Sequence, residues 1–122
     1  MWPDYTDYVD GATKTTLANL QNKSDKTRGG SESVEIAGPA RIAPLVCHHA
    51  NSTEEEVVRS SVEQTMLTHR SAEAEESTVF LAKAGYRLIH GANLSNTLKE
   101  TAPAWAMEKA KGVFSDLSLI HI

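Results

Sequence analysis

One cysteine, Cys47, stands among the 122 residues. A lone thiol cannot close an internal disulfide, and such sparing use suits a reducing compartment. No apolar run approaches the roughly 20 residues that cross a bilayer as a helix. The opening Met1-Trp2-Pro3-Asp4-Tyr5-Thr6-Asp7 is acidic and lacks an apolar centre, so no signal peptide is expected. These absences make the expected location cytoplasmic, without a membrane partner. A basic face is missing as well: Lys and Arg number 12 against 16 Asp and Glu, and they are scattered along the chain. That distribution argues against nucleic-acid binding. Without an export signal, the sequons at Asn22, Asn51 and Asn93 read as chance. Alternation of period two is absent too, so the expected class is all-α. At this length the chain forms one domain or part of one, burying roughly two thirds of its unfolded surface.

What is present is a series of helix signals. Asp10-Gly11 predicts a helix from Ala12 to about Asn22, capped by Asp10, with Leu17 and Leu20 as a thin apolar stripe. Residues 22–33 are polar, charged and glycine-bearing, which predicts a mobile loop. Gly38-Pro39-Ala40-Arg41-Ile42-Ala43-Pro44-Leu45 follows. Pro39 suits a first helical turn, whereas Pro44 should kink the helix by removing a backbone hydrogen bond. The apolar character of Ala40 through Cys47 predicts burial. Thr53 and Glu56 form a capping box at the head of the next helix. Val58, Val62, Thr65, Met66 and His69 then fall on one face, with Arg59, Ser60, Glu63 and Gln64 opposite. Ser71 caps a further helix that is apolar nearly all round, wetted along Glu76, Lys83, Arg87 and His90, and ended by Gly91. That pattern predicts a central helix. Ser95 is the expected cap of a short helix with Leu94 and Leu98 inward. A last helix is expected through Trp105 and Met107, fading at Gly112.

Few side chains point to chemistry. Asp4, Asp7 and Asp10 stand three apart, whereas a calcium loop needs ligands two apart and a later glutamate, so an acidic approach to a helix is the better reading. His48 and His49 are neighbours, pointing about 100° apart on a helix, which prevents joint ligation of one metal. Cys47 reads as a buried small residue rather than a nucleophile. His69 is more informative. It lies on an inward stripe at a helix carboxyl end, where the dipole favours its charged form, although a satisfied core histidine fits the same pattern. Gly38, before a helix N-terminus, reads either as an anion-facing turn or as a turn alone.

Taken together, Tyr8-Val9-Asp10-Gly11-Ala12-Thr13, Gly38 to Leu45, Leu67-Thr68-His69 and Tyr86-Arg87-Leu88-Ile89-His90-Gly91 resemble the ADP-ribosylglycohydrolase family, which includes the J1-type crystallins. The resemblance covers residues 8–109. It implies an all-α, orthogonal multi-helix domain that hydrolyses the glycosidic bond of ADP-ribose attached to a side chain, using paired magnesium ions. It implies substrate-binding roles for Gly38, in the nucleotide-facing loop, and for His69, in contact with ADP-ribose, with Arg41 supporting the loop. His69→Ala is accordingly expected to weaken ADP-ribose binding in a complete homologue with little effect on melting.

Two departures accompany the resemblance. The family's acidic and threonine metal motifs are not found, so no catalytic and no metal-ligating residue is assigned. Glu35 also stands where phosphate would approach. The chain is therefore read as a partial domain over residues 1–114, an internal piece inactive alone, with residues 115–122 an irregular tail for which a non-native translated end is the alternative. A non-catalytic, crystallin-like protein of the same fold and an unrelated helical interaction module are the competing readings.

Overall fold

Asp10 caps the first helix, as the sequence predicts. Its Oδ1 accepts from the Thr13 amide at 2.9 Å and its Oδ2 from the Thr13 hydroxyl at 2.8 Å, which satisfies donors that have no partner within the helix. The computed structural model describes residues 7–22, 25–104, 106 and 108. Its helices are α1 (Gly11–Asn22), α2 (Ala37–Ala40), α3 (Ala43–His48), α4 (Glu54–Met66), α5 (Ala72–Ile89) and α6 (Leu94–Thr101), with a 3₁₀ turn at Lys26–Arg28. The all-α class holds: among the described residues, extended pairing is limited to an isolated bridge between Ser31 and His69.

Local chemistry fixes most of the helix ends. Thr53 accepts from the Glu56 amide at 3.2 Å and Ser71 from the Ala74 amide at 3.1 Å. Gly91 takes φ +86, the left-handed conformation that lets a chain leave a helix without a Cβ clash. Pro44 does more than kink its helix. The chain breaks into α2 and α3 at Arg41-Ile42, and Pro44 lies in the first turn of the second piece, where its missing N–H costs no bond.

As predicted, α5 is central, packing against α2, α3, α4 and α6. The core between them consists of Ile42, Val46, Val57 and Ala82, with Val58, Leu81 and Tyr86 packed against it. Arg87 binds Glu54 of α4 at 2.8 Å and Glu100 of α6 at 3.2 Å. Hydrogen bonding to this guanidinium lowers the Glu54 carboxyl below its ordinary range.

Several predicted faces are shifted. In α1, Ala12 and Thr16 are buried while Leu17 and Leu20 are half-buried. In α4 the buried line is Val57, Ser61 and Thr65. Small polar residues fill it because α5 approaches closely, and the Thr65 and Thr78 hydroxyls meet at 2.9 Å. In α6 the cap is Asn93 rather than Ser95 and the buried residue is Thr97, leaving Leu94 and Leu98 exposed. Cys47, expected inside, is exposed, as are Ala40 and Ala43. The predicted helix through Trp105 and Met107 and the tail at 115–122 lie outside the described residues, in full or in part.

Candidate functional site

Of the loop expected to be mobile, residues 25–31 are tied down by hydrogen bonds. Asp25 caps the 3₁₀ turn through the Thr27 amide and hydroxyl, and the chain then runs through buried Gly29, Gly30 and Ser31. The Ser31 amide donates to the Thr68 carbonyl at 3.0 Å, and the Arg70 amide donates back to the Ser31 carbonyl at 2.6 Å. The Ser31 hydroxyl reaches the same Thr68 carbonyl at 2.6 Å, with Thr16 of α1 at 3.3 Å. This short bridge takes over from the turn at Thr68 and holds His69 and Arg70 alongside Ser31. His69 therefore lies beyond the end of α4 rather than on its stripe, although its amide still donates to the Thr65 carbonyl at 2.9 Å.

The bridge brings the two candidate site residues together. A Cβ built on Gly38 would stand 2.6 Å from His69 Cγ and 2.7 Å from His69 Nδ1. No side chain fits at that spacing, so position 38 needs glycine for close approach to the imidazole. His69 is 0 % exposed. Its Nδ1 lies 2.8 Å from the Thr68 hydroxyl, and its Nε2 has no hydrogen-bond partner among the described residues. Whichever tautomer is present, one ring nitrogen is buried and unmatched.

The electrostatics overturn the expected charge state. Burial lowers the His69 pKa below its ordinary value, and Arg41 lowers it further, while Asp10 and Glu35 act in the opposite direction. The neutral imidazole is favoured because desolvation and Arg41 together outweigh the two carboxylates. Burial also changes the expectation for His69→Ala: removing a fully enclosed ring leaves a cavity, so melting has to change.

Arg41 takes a supporting position. Its Nη2 meets Asp10 Oδ2 at 2.8 Å, tying the start of α1 to the break between α2 and α3, and its carbonyl accepts from Gln64 Nε2 at 3.0 Å. The Asp10 carboxyl is held far below the usual carboxylate range, first by the Thr13 hydrogen bonds and then by Arg41. Around Gly38 the surface is formed by exposed Val34, Glu35, Ile36, Ala40 and Arg41. A cleft of about 490 Å³ opens beside it, lined by Ile36 and by apolar side chains from α2, α3 and α5 including Pro39, Val46 and Ile89.

The donor set of the described residues does not fit a pair of magnesium ions. Among the described residues no three His, Cys, Asp or Glu side chains are grouped to hold a metal, and Asp10 has both oxygens engaged. His48 and His49 meet edge to face at 4.9 Å. The residues that sequence reasoning missed are Ser31, Thr16 and Gly30. Their signal is long-range backbone pairing, which no local pattern carries.

Compared with known families, residues 2–118 match the family model described as ADP-ribosylglycohydrolase. Comparison with curated proteins and with solved structures found no match.

Proposed function

The chain belongs to the ADP-ribosylglycohydrolase family, and from that premise we propose that its segment Val34–Arg41 is the surface that meets an ADP-ribosyl group. The observation that carries this reading is the seating of Gly38 directly on the His69 ring, since these are two of the residues on which the family resemblance stands. Gly38 and His69 serve the site from beneath. Glycine lets the turn sit low, and the buried imidazole fixes its height, so the exposed residues on either side, Glu35, Ile36, Ala40 and Arg41, keep one shape. Arg41, held by Asp10, contributes positive charge at the rim. Glu35 opposes a pyrophosphate there and weakens binding.

Hydrolysis in this reading depends on acidic metal motifs that the sequence lacks, so no catalytic step is assigned to these residues. Magnesium remains the expected cofactor of a complete family member, not a ligand of the donors described above. A non-catalytic, crystallin-like role is the second reading, in keeping with a sequence that lacks those motifs and with Asp10 serving as a helix cap bonded to Thr13 and Arg41.

Two measurements test the proposal. With magnesium present, release of ADP-ribose from an ADP-ribosylated arginine peptide should match a no-protein control, and turnover above it contradicts the inactivity. Glu35→Gln should tighten ADP-ribose binding several-fold in calorimetric titration, because a like charge is removed from an exposed position. An unchanged affinity would mean that phosphate does not approach this segment.

A further inference from the structure

Extended backbone sends successive side chains to opposite sides. At the Ser31–His69 bridge this separates His69, which packs on Gly38, from Arg70, which packs on a second glycine. A Cβ at Gly30 would stand 2.6 Å from Arg70 Cγ and 2.5 Å from the Met66 carbonyl oxygen. Gly30 thus lets the aliphatic stem of Arg70 lie flat on the loop. The guanidinium is steadied by the Thr27 carbonyl, to which Nη1 donates at 3.3 Å.

Arg70 borders a polar cleft of about 420 Å³, lined also by Thr15 and Asn19 of α1, Arg28, Gly30 and Glu32. Arg28 is the second guanidinium there, and its pairing with Asp25 is loose, at 4.0 Å. Both arginines act on Asp25, whose carboxyl is lowered first by Thr27 hydrogen bonds and then by these two charges. The Asn19 amide is occupied with the Gly29 carbonyl at 3.0 Å, which fixes one wall.

We propose that this cleft binds a phosphate group between Arg28 and Arg70. Guanidinium forks match phosphate oxygens in planar, paired geometry, and the volume accommodates a small phosphate ester. Glu32 lines the same cleft and limits affinity for a bare anion, but it can accept a hydrogen bond from a hydroxyl of an ester's organic part. The site is distinct from the Gly38 turn and does not depend on the function proposed above.

The test is a titration of the full 122-residue protein with inorganic phosphate and, separately, ribose 5-phosphate, at constant ionic strength, followed by two-dimensional NMR. Saturable shifts are expected at the amides of Arg28, Gly30 and Arg70. Arg28→Gln and Arg70→Gln should each weaken binding about tenfold, while Glu32→Gln strengthens inorganic phosphate binding and weakens any advantage of the sugar ester. Arg28→Gln changes an exposed side chain and leaves the fold intact, so it remains informative if Arg70→Gln disturbs the loop. Shifts that grow linearly without saturating, or that persist unchanged in both arginine variants, overturn the proposal.

Discussion

Gly38 and His69 share one volume, so each residue sets the cost of changing the other. Gly38→Ala forces the ring or the turn to move, since the new methyl would overlap the imidazole. A loss of about 1–3 kcal/mol is expected from overpacking, read as a lower urea midpoint at unchanged slope. His69→Ala should cost about 2–4 kcal/mol, in the range for emptying a buried site of similar bulk. Its unmatched Nε2 reduces that figure, because deleting the ring also deletes a desolvated polar atom.

The same burial gives a pH dependence with a definite sign. With the folded pKa of His69 below its ordinary 6.5, the unfolded chain binds more protons at mildly acid pH, so stability is full above about 6.5 and falls as pH drops toward the depressed value. Asp10 acts in a separate window. Its lowered carboxyl stabilises the fold above the ordinary 3.8 and loses that contribution only in stronger acid. Melting between pH 8 and 5 should therefore fall with acidification, and His69→Asn should flatten the slope; an equal slope in that variant assigns the effect elsewhere.

At the scale of elements, what the sequence made legible was local. Asp10, Thr53, Ser71 and Gly91 mark helix ends because each satisfies or releases backbone groups within three or four residues of itself. Thr53→Ala should accordingly cost about 1 kcal/mol, measurable as a lower melting temperature, with little effect if the capping bond is replaced by water. Buried faces were less legible. Pattern reading favours Val58, Val62 and Met66 beside Thr65, yet in α4 it is Val57, Ser61 and Thr65 that are buried, with Thr78 of α5 opposite, because closely packed helices accept small side chains. Polar composition likewise hid the pinned loop, whose partners at 68–70 are distant in sequence. Pro44 was recognised as an interruption, but whether a proline kinks or divides a helix depends on the turn before it.

At the scale of the whole molecule, α5 gathers α2, α3, α4 and α6, and the Arg87 bridge to Glu54 and Glu100 ties it to two of them, α4 and α6. Family membership was legible from a few dispersed motifs, and the structure brings two of these, Gly38 and Thr68-His69, into contact. The depth of His69 was not legible, since burial arises from a loop that no motif marks. No helix among the described residues is long and apolar enough to cross a membrane.

An NMR titration of the protein with ADP-ribose probes the proposed surface most directly. Saturable shifts should cluster at the amides of 34–41, with a smaller response at the His69 ring transmitted through Gly38. No saturable change there, or a response confined to residues remote from this turn, would contradict the assignment of Val34–Arg41 to the ADP-ribosyl group.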